Sequence, residues 1–89
     1  MNTYSVLILD DEEFSVDVLI EDIHWEECGI SHVHGVYSVR QAKEFLKNNA
    51  VNILICDIEM PGENGLDLVE WAMEYARFSK DPMICIMLT

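Results

Sequence analysis

Apolar and polar residues follow two alternating periods along the chain, and these predict strands and helices in turn. Four apolar runs are typical of buried strands: residues 5–9, a weaker run at 32–37, 51–56 and 83–88. Between these runs, apolar residues recur at the spacing of a helix. The predicted order is βαβαβαβ, which indicates a parallel sheet with helices on both faces.

The predicted helices are bounded by residues that commonly start or stop a helix. The first is expected over residues 12–28, with Gly29 as its stop. Its apolar positions share one helical period: Phe14, Val18, Leu19 and Ile23. Ser38, with Gln41 three residues later, predicts a capping box that opens the second helix. Gly65 leads into the third helix.

Composition sets the class of protein. The chain has 89 residues, 51% of them hydrophobic, which suits one small globular domain. Its apolar runs are too short to span a membrane, and no basic region opens the chain, so we expect neither a signal peptide nor a membrane segment. The net charge is −12 and the five basic residues are scattered, which argues against direct nucleic-acid binding by this segment.

The three cysteines, Cys28, Cys56 and Cys85, form no CxxC pair. An odd set without paired spacing predicts reduced, buried thiols and therefore a cytoplasmic protein. A zinc site built from Cys28, His32 and His34 is a weak alternative, because a fourth ligand and a second paired motif are absent from the sequence.

Carboxylates follow two of the predicted strands. Asp10 and Asp11 follow the first, Asp57 follows the third, and the hydroxyl of Thr89 ends the fourth. In open parallel sheets, ligands bind beyond the carboxyl ends of the strands where the strand order reverses. Two unit charges about 4 Å apart repel by roughly 4 kcal/mol at an effective dielectric near 20. We therefore expect a hard divalent cation such as Mg²⁺ among these acids.

Asp57 is the candidate reactive group at this site. A carboxylate beside Mg²⁺ can act as a nucleophile toward phosphorus, and the metal would neutralise charge on the transferring group. Each acid also has a simpler interpretation when it is taken alone. Asp10 and Asp11 could serve only the N-terminus of the first helix, and Asp57 could cap the turn before Pro61.

These residues resemble the receiver domain of two-component response regulators. The resemblance spans the chain through three motifs: VLILDDE (6–12), ILICDIEMPGENG (53–65) and ICIMLT (84–89). It implies that Asp57 is the phosphoacceptor and Thr89 the switch hydroxyl. It also implies that Asp10, Asp11, Asp57 and the backbone carbonyl of Glu59 hold Mg²⁺, Asp10 largely through water.

The resemblance implies a flavodoxin-like, doubly wound parallel sheet with strand order 2-1-3-4. The family's fifth strand, its lysine and its last helix have no counterpart, so residues 1–89 are expected to form a C-terminally truncated receiver domain. An exposed apolar edge strand and an uncovered face should then make the chain self-associate.

The implied function is a cytoplasmic, phosphorylatable signalling module, not an enzyme, that receives its phosphoryl group from a sensor histidine kinase. IHWEECGI (23–30) is similar to a segment common in receivers joined to AraC-type DNA-binding domains, which implies a transcriptional output domain. Two alternatives stay open. One is a haloacid-dehalogenase-type phosphatase, in which Glu59 would occupy the place of an expected aspartate. The other is a non-phosphorylated, protein-binding receiver, although such a domain ordinarily lacks one of the acids.

Overall fold

Strands and helices alternate through the computed structural model, which describes residues 4–77 and 83–88. The elements are β1 (Tyr4–Leu9), α1 (Glu13–Asp22), a 3₁₀ turn (Trp25–Cys28), β2 (Ile30–Val36), α2 (Val39–Asn48), β3 (Ile53–Asp57), β4 (Glu59–Met60), β5 (Glu63–Asn64), α3 (Gly65–Tyr75) and β6 (Ile84–Leu88). The four predicted strands are β1, β2, β3 and β6. The short strands β4 and β5 form an antiparallel hairpin that was not predicted.

The main sheet is parallel and has the order β2-β1-β3-β6, which confirms the predicted strand order and the doubly wound fold. Leu9 of β1 lies opposite Cys56 of β3, and Asp57 at the end of β3 lies opposite Leu88 of β6. Because the strands are parallel and end at matching positions, their carboxyl ends meet along one edge of the sheet.

The core lies on both faces of the sheet, and β1 contributes to both. Leu7 and Leu9 belong to the apolar cluster beneath α2 and α3, whereas Val6 and Ile8 belong to the cluster beneath α1. All four side chains are at most 1% exposed. Successive residues of a strand point to opposite faces, so a continuous apolar run such as 6–9 is what a strand covered on both sides requires.

The first predicted helix was wrong in its second half. α1 ends at Asp22, and the chain then forms the 3₁₀ turn before Gly29, whose φ of 79° is left-handed. The indole Nε1 of Trp25 donates a hydrogen bond to the carbonyl of Ile20 at 3.2 Å, which satisfies one carbonyl of the last turn of α1. Gly29 was correctly predicted as the stop, but of the 3₁₀ turn and not of α1.

The predicted apolar face of α1 was correct for Leu19, which packs against the core, but wrong for Phe14, Val18 and Ile23, which are exposed. Val16 is the fully buried residue of the helix, whereas Phe14 is 80% exposed. The reason is the approach of α1 to β2 at Gly35, where an added Cβ would collide with the Val16 side chain. This contact turns Val16 toward the sheet and leaves Phe14 and Val18 on the outer side of the helix.

The predicted capping box is present in altered form. The backbone N–H of Gln41 donates to the Ser38 hydroxyl at 3.1 Å, as the motif requires. The side-chain oxygen of Gln41 accepts in return from the N–H of Tyr37 at 2.8 Å, one residue earlier than in the standard motif. The pair still satisfies backbone donors at the start of α2.

Three of the five basic residues line one surface cleft beside α2, which corrects the expectation of scattered bases: Arg40, Lys43 and Lys47. Their spacing of three and four residues places them on one side of the helix. Three acids line the same cleft: Glu44, Glu63 and Asp67. The local charge is therefore mixed, and the absence of direct nucleic-acid binding stays a prediction.

The cysteines differ in their surroundings. All three are free; Cys56 is buried, Cys85 is half-buried, and Cys28 is exposed. The expectation that the thiols are buried was therefore wrong for Cys28, because it ends the 3₁₀ turn at the surface and not a packed helix. Within residues 4–77 and 83–88, none of the helices is long and apolar enough to cross a membrane.

Candidate metal centre at the carboxyl edge of the sheet

Three carboxylates converge where β1 and β3 end. Asp10, Asp11 and Asp57 each place an oxygen atom within 4.8 Å of the others. In the part of the chain that the structure describes, this is the only group of three or more histidine, cysteine or acidic side chains close enough to share a metal ion. Cys28, His32 and His34 do not form such a group, so the zinc alternative has no geometric support.

A hydrogen bond to the backbone two residues later holds a carboxylate at each strand end. Asp10 Oδ1 accepts from the N–H of Glu12 at 3.0 Å. Asp57 Oδ1 accepts from the N–H of Glu59, also at 3.0 Å. This local turn is a common conformation for aspartate, and it fixes the direction in which each carboxylate leaves the sheet.

The start of α3 presses against the backbone of Asp57. A Cβ at Gly65 would lie 2.6 Å from the Asp57 carbonyl oxygen and 3.1 Å from Cys56 Sγ. Only glycine therefore permits this approach without a backbone shift. Sequence reasoning placed Gly65 at the start of a helix but missed this contact, because nothing in the local pattern states what the helix packs against.

The acids lie in an open cleft of about 730 Å³ at the sheet edge. Its described lining consists of Asp10, Asp11, Glu12, Phe14, Ser15, Val18, Leu19, Asp57, Glu59, Pro61 and Leu88. This lining holds five acids and no lysine or arginine, so no basic side chain of the described cleft neutralises them. An external cation would relieve their repulsion.

The donor set fits a divalent magnesium ion. Three carboxylates are hard oxygen donors of the kind that Mg²⁺ prefers. Their ligand oxygens all lie within 4.8 Å of one another, close enough for one ion to join them.

Burial raises the pKa of Asp10 above its ordinary value of 3.8, and the hydrogen bond from Glu12 opposes that rise. The neighbouring charges of Asp57 and Asp11 raise the pKa further. Burial also raises the pKa of the adjacent Cys56 thiol to about 11. Cys56 is therefore a neutral thiol at physiological pH and does not compete with Asp57 as a nucleophile.

The raised pKa of Asp10 makes its charge a cost to the metal-free fold. In the presence of a chelator, Asp10→Asn should therefore raise the melting temperature at neutral pH. This gain in melting temperature should shrink as the pH falls through the raised pKa that Asp10 has in the folded protein. It should vanish below 3.8, where the carboxyl is protonated in both the folded and the unfolded protein. Thermal unfolding of both proteins over this range tests the sign, and an unchanged or lower melting temperature at neutral pH contradicts it.

The remaining predicted site residues have different outcomes. Glu59 lines the cleft and donates its N–H to Asp57. Thr89 lies outside the described residues. Sequence reasoning missed Leu88, whose carbonyl accepts from the N–H of Ile58 at 3.1 Å and so ties the end of β6 to the loop after Asp57. No sequence signal could have found this bond, because it joins backbone atoms.

Two curated relatives resemble parts of the chain. The transcriptional regulatory protein YesN of Bacillus subtilis is 33% identical over 67 residues, covering 75% of this chain and 18% of YesN. A protein-glutamate methylesterase/protein-glutamine glutaminase of Methanococcus maripaludis is 36% identical over 75 residues, covering 84% of this chain and 20% of that protein. The chain thus spans about a fifth of each relative.

The fold has a solved counterpart. The crystal structure of a two-component transcriptional regulator AraC from Clostridium phytofermentans superposes with a TM-score of 0.79 at 23% identity, covering 97% of this chain and 68% of that one. The family model of the response regulator receiver domain matches residues 6–89. That match includes both strand ends with their acids, and the chain therefore belongs to the response regulator receiver domain family.

Proposed function

We propose that this receiver is phosphorylated on Asp57 and that Mg²⁺ assists the transfer. The observation that carries the proposal is the convergence of Asp10, Asp11 and Asp57 in an open cleft whose described lining has no basic side chain. Asp57 follows an apolar strand directly, and its carboxylate is oriented by the N–H of Glu59. The family match gives the haloacid-dehalogenase alternative no support. All three acids are present, which disfavours a receiver that is never phosphorylated.

The acids have distinct roles in this proposal. Asp11, Asp57 and the backbone carbonyl of Glu59 would hold the ion directly, and Asp10 would act largely through water. When bound, Mg²⁺ neutralises charge on the transferring phosphoryl group. A carboxylate oxygen of Asp57 attacks phosphorus, the bond from phosphorus to the donor's imidazole nitrogen breaks, and that nitrogen keeps the electron pair. The hydroxyl of Thr89 would then contact the phosphoryl group on Asp57.

The proposed donor is the phosphohistidine of a sensor histidine kinase, and the proposed setting is the cytoplasm. We further propose that the receiver regulates an attached DNA-binding output domain and is not itself an enzyme. The names of YesN and of the AraC-type structure support a transcriptional output. The methylesterase relative carries a different activity in its name, so a receiver alone does not determine the output.

Removal of Asp57 should weaken Mg²⁺ binding most, and removal of Asp11 should have the second largest effect. Asp11→Ala deletes a direct ligand, and we expect the dissociation constant to rise at least about tenfold, corresponding to roughly 1.4 kcal/mol. Asp10→Ala should have a smaller effect, since Asp10 acts through water. Isothermal titration with Mg²⁺ measures both.

Asp17→Ala is the matched control, because Asp17 is an exposed acid on α1 outside the cleft. It removes one negative charge, as Asp11→Ala does, and should leave Mg²⁺ affinity within about twofold, as expected for a screened distant charge. Equal Mg²⁺ affinities in the wild type and Asp11→Ala would remove Asp11 from the site.

We also propose that the 89-residue chain associates with a second copy through β6, which lies at the edge of the described sheet. Three apolar side chains of β6 are exposed on one face: Ile84, Ile86 and Leu88. Leu88 shares a cleft with Phe14 and Val18 of α1, so the exposed apolar surface continues from strand to helix. An unpaired edge with apolar side chains is a template for pairing.

Light scattering after size-exclusion chromatography at micromolar concentration should show species larger than the monomer. Ile86→Glu should shift the chain toward monomer by placing a charge on the exposed face of β6. Leu66→Glu is the control, since Leu66 is exposed on α3. A monodisperse wild-type monomer with cooperative unfolding would show that the four-strand unit closes its own core.

A further inference from the structure

The β4–β5 hairpin connects the candidate metal site to the start of α2 through one side chain. The backbone N–H of Val39 donates to both carboxylate oxygens of Glu63, each at 3.2 Å. Val39 is the first residue of α2, and Glu63 is the first residue of β5. The two residues are 24 positions apart, so the contact joins separate parts of the fold.

This bond is additional to the local cap of α2. Ser38 already accepts from the N–H of Gln41. The N–H of Val39 has no partner within its own helix, as for every first residue of an α-helix. Val39 is half-buried and the Ser38 side chain already caps the helix, so α2 can form without Glu63. The carboxylate also lies at the N-terminus of α2, where the helix dipole attracts a negative charge.

The other side of the hairpin faces Asp57. Glu59 pairs with Asn64, and Met60 pairs with Glu63, so the two short strands are fixed to each other. The N–H of Glu59 donates to Asp57 Oδ1. A displacement of Glu63 therefore moves Met60 and Glu59, and with them the group that orients the Asp57 carboxylate.

Two further anchors limit how the hairpin moves. Met60 is buried in the core beneath α2 and α3. The side chain of Asn64 accepts from the N–H groups of Leu66 and Asp67, which attaches the end of β5 to α3. Among the hydrogen bonds of the described residues, the Glu63 carboxylate supplies the anchor to α2.

We propose that Glu63 is a positioning residue for the metal site. By bonding the N-terminus of α2, it fixes the hairpin and holds Glu59 in the place where its N–H orients Asp57 and where its carbonyl would hold the metal. This inference rests on the proposed function, because it assigns Glu63 a role in the Mg²⁺ site of that function. Its effect acts through Glu59 and requires no contact between Glu63 and the ion.

The test compares Glu63→Ala and Glu63→Gln with the wild type at a temperature where all three proteins are fully folded. Glu63→Ala should raise the Mg²⁺ dissociation constant about fivefold, the size expected from the net loss of one hydrogen bond. It should also shift the NMR resonance of the Glu59 amide in the metal-free protein. Glu63→Gln retains a side-chain carbonyl oxygen and should restore most of the affinity.

Glu44→Gln is the matched control, since Glu44 lines the same cleft beside α2 and its removal makes an equal change in charge. It should leave Mg²⁺ affinity and the Glu59 amide resonance unchanged. Glu63→Ala with a lower melting temperature, but with wild-type Mg²⁺ affinity and an unshifted Glu59 amide, would reduce Glu63 to a structural role and overturn this proposal alone. A wild-type chain that binds no Mg²⁺ would overturn the proposed function and this inference together.

Discussion

Asp57→Asn should abolish the uptake of a phosphoryl group from acetyl phosphate in the presence of Mg²⁺. The amide side chain lacks the nucleophilic carboxylate, so we expect labelling to fall by at least about two orders of magnitude. The fold should persist, because the asparagine oxygen can still accept the hydrogen bond that the N–H of Glu59 donates to Asp57. Intact-protein mass spectrometry before and after incubation measures the change.

Asp17→Asn is the control for this experiment, because it makes the same chemical change at an exposed site on α1. It should be labelled like the wild type. Undiminished labelling of Asp57→Asn would place the phosphoryl group on another residue and contradict the proposed mechanism.

Gly65→Ala should destabilise the protein and damage the metal site together. The added Cβ would lie 2.6 Å from the Asp57 carbonyl oxygen, a backbone atom that cannot rotate away. We expect unfolding to become easier by about 1–3 kcal/mol, as for overpacking in other cores. Mg²⁺ affinity should fall as well, because the added Cβ would press on the end of β3, which carries Asp57. Chemical denaturation and Mg²⁺ titration of the folded protein measure the two effects.

Gly29→Ala is the control for Gly65→Ala, because it should lower the stability of the fold without lowering Mg²⁺ affinity. Gly29 has a left-handed φ of 79°, and a Cβ there would meet nothing within 4 Å. Its replacement should cost about 1 kcal/mol through backbone strain alone. Mg²⁺ affinity should stay at the wild-type value, because Gly29 does not line the site. A Gly65→Ala protein with normal Mg²⁺ affinity would show that the α3 contact does not shape the metal centre.

The strands and the acids that follow them could be predicted from the sequence pattern, whereas the strand order was implied by the resemblance to receiver domains. Residues 6–9 form a short apolar run of the kind that a strand covered on both faces requires, and the acids follow directly at 10 and 11. The same relation holds for β3 and Asp57. Once the order of the parallel strands is known, the strand ends determine which acids are neighbours. No long-range side-chain contact has to be predicted for this.

The parts that were missed depend on tertiary contacts. α1 carries apolar residues on several sides, so periodicity alone could not decide that Val16 faces the sheet and Phe14 does not; the close approach at Gly35 decides it. The strands β4 and β5 have two residues each, which is too short for any periodic signal. The hydrogen bond from the N–H of Val39 to Glu63 joins residues 24 positions apart, and no local sequence pattern predicts it.

The most direct test of the account is to locate the phosphoryl group on the wild-type chain. The protein is incubated with acetyl phosphate and Mg²⁺, the acyl phosphate is reduced with borohydride to trap its position, and the peptides are sequenced by tandem mass spectrometry. We expect modification at Asp57 alone, dependent on Mg²⁺ and absent when a chelator is added. Modification at Asp10 or Asp11, with Asp57 intact, would contradict it.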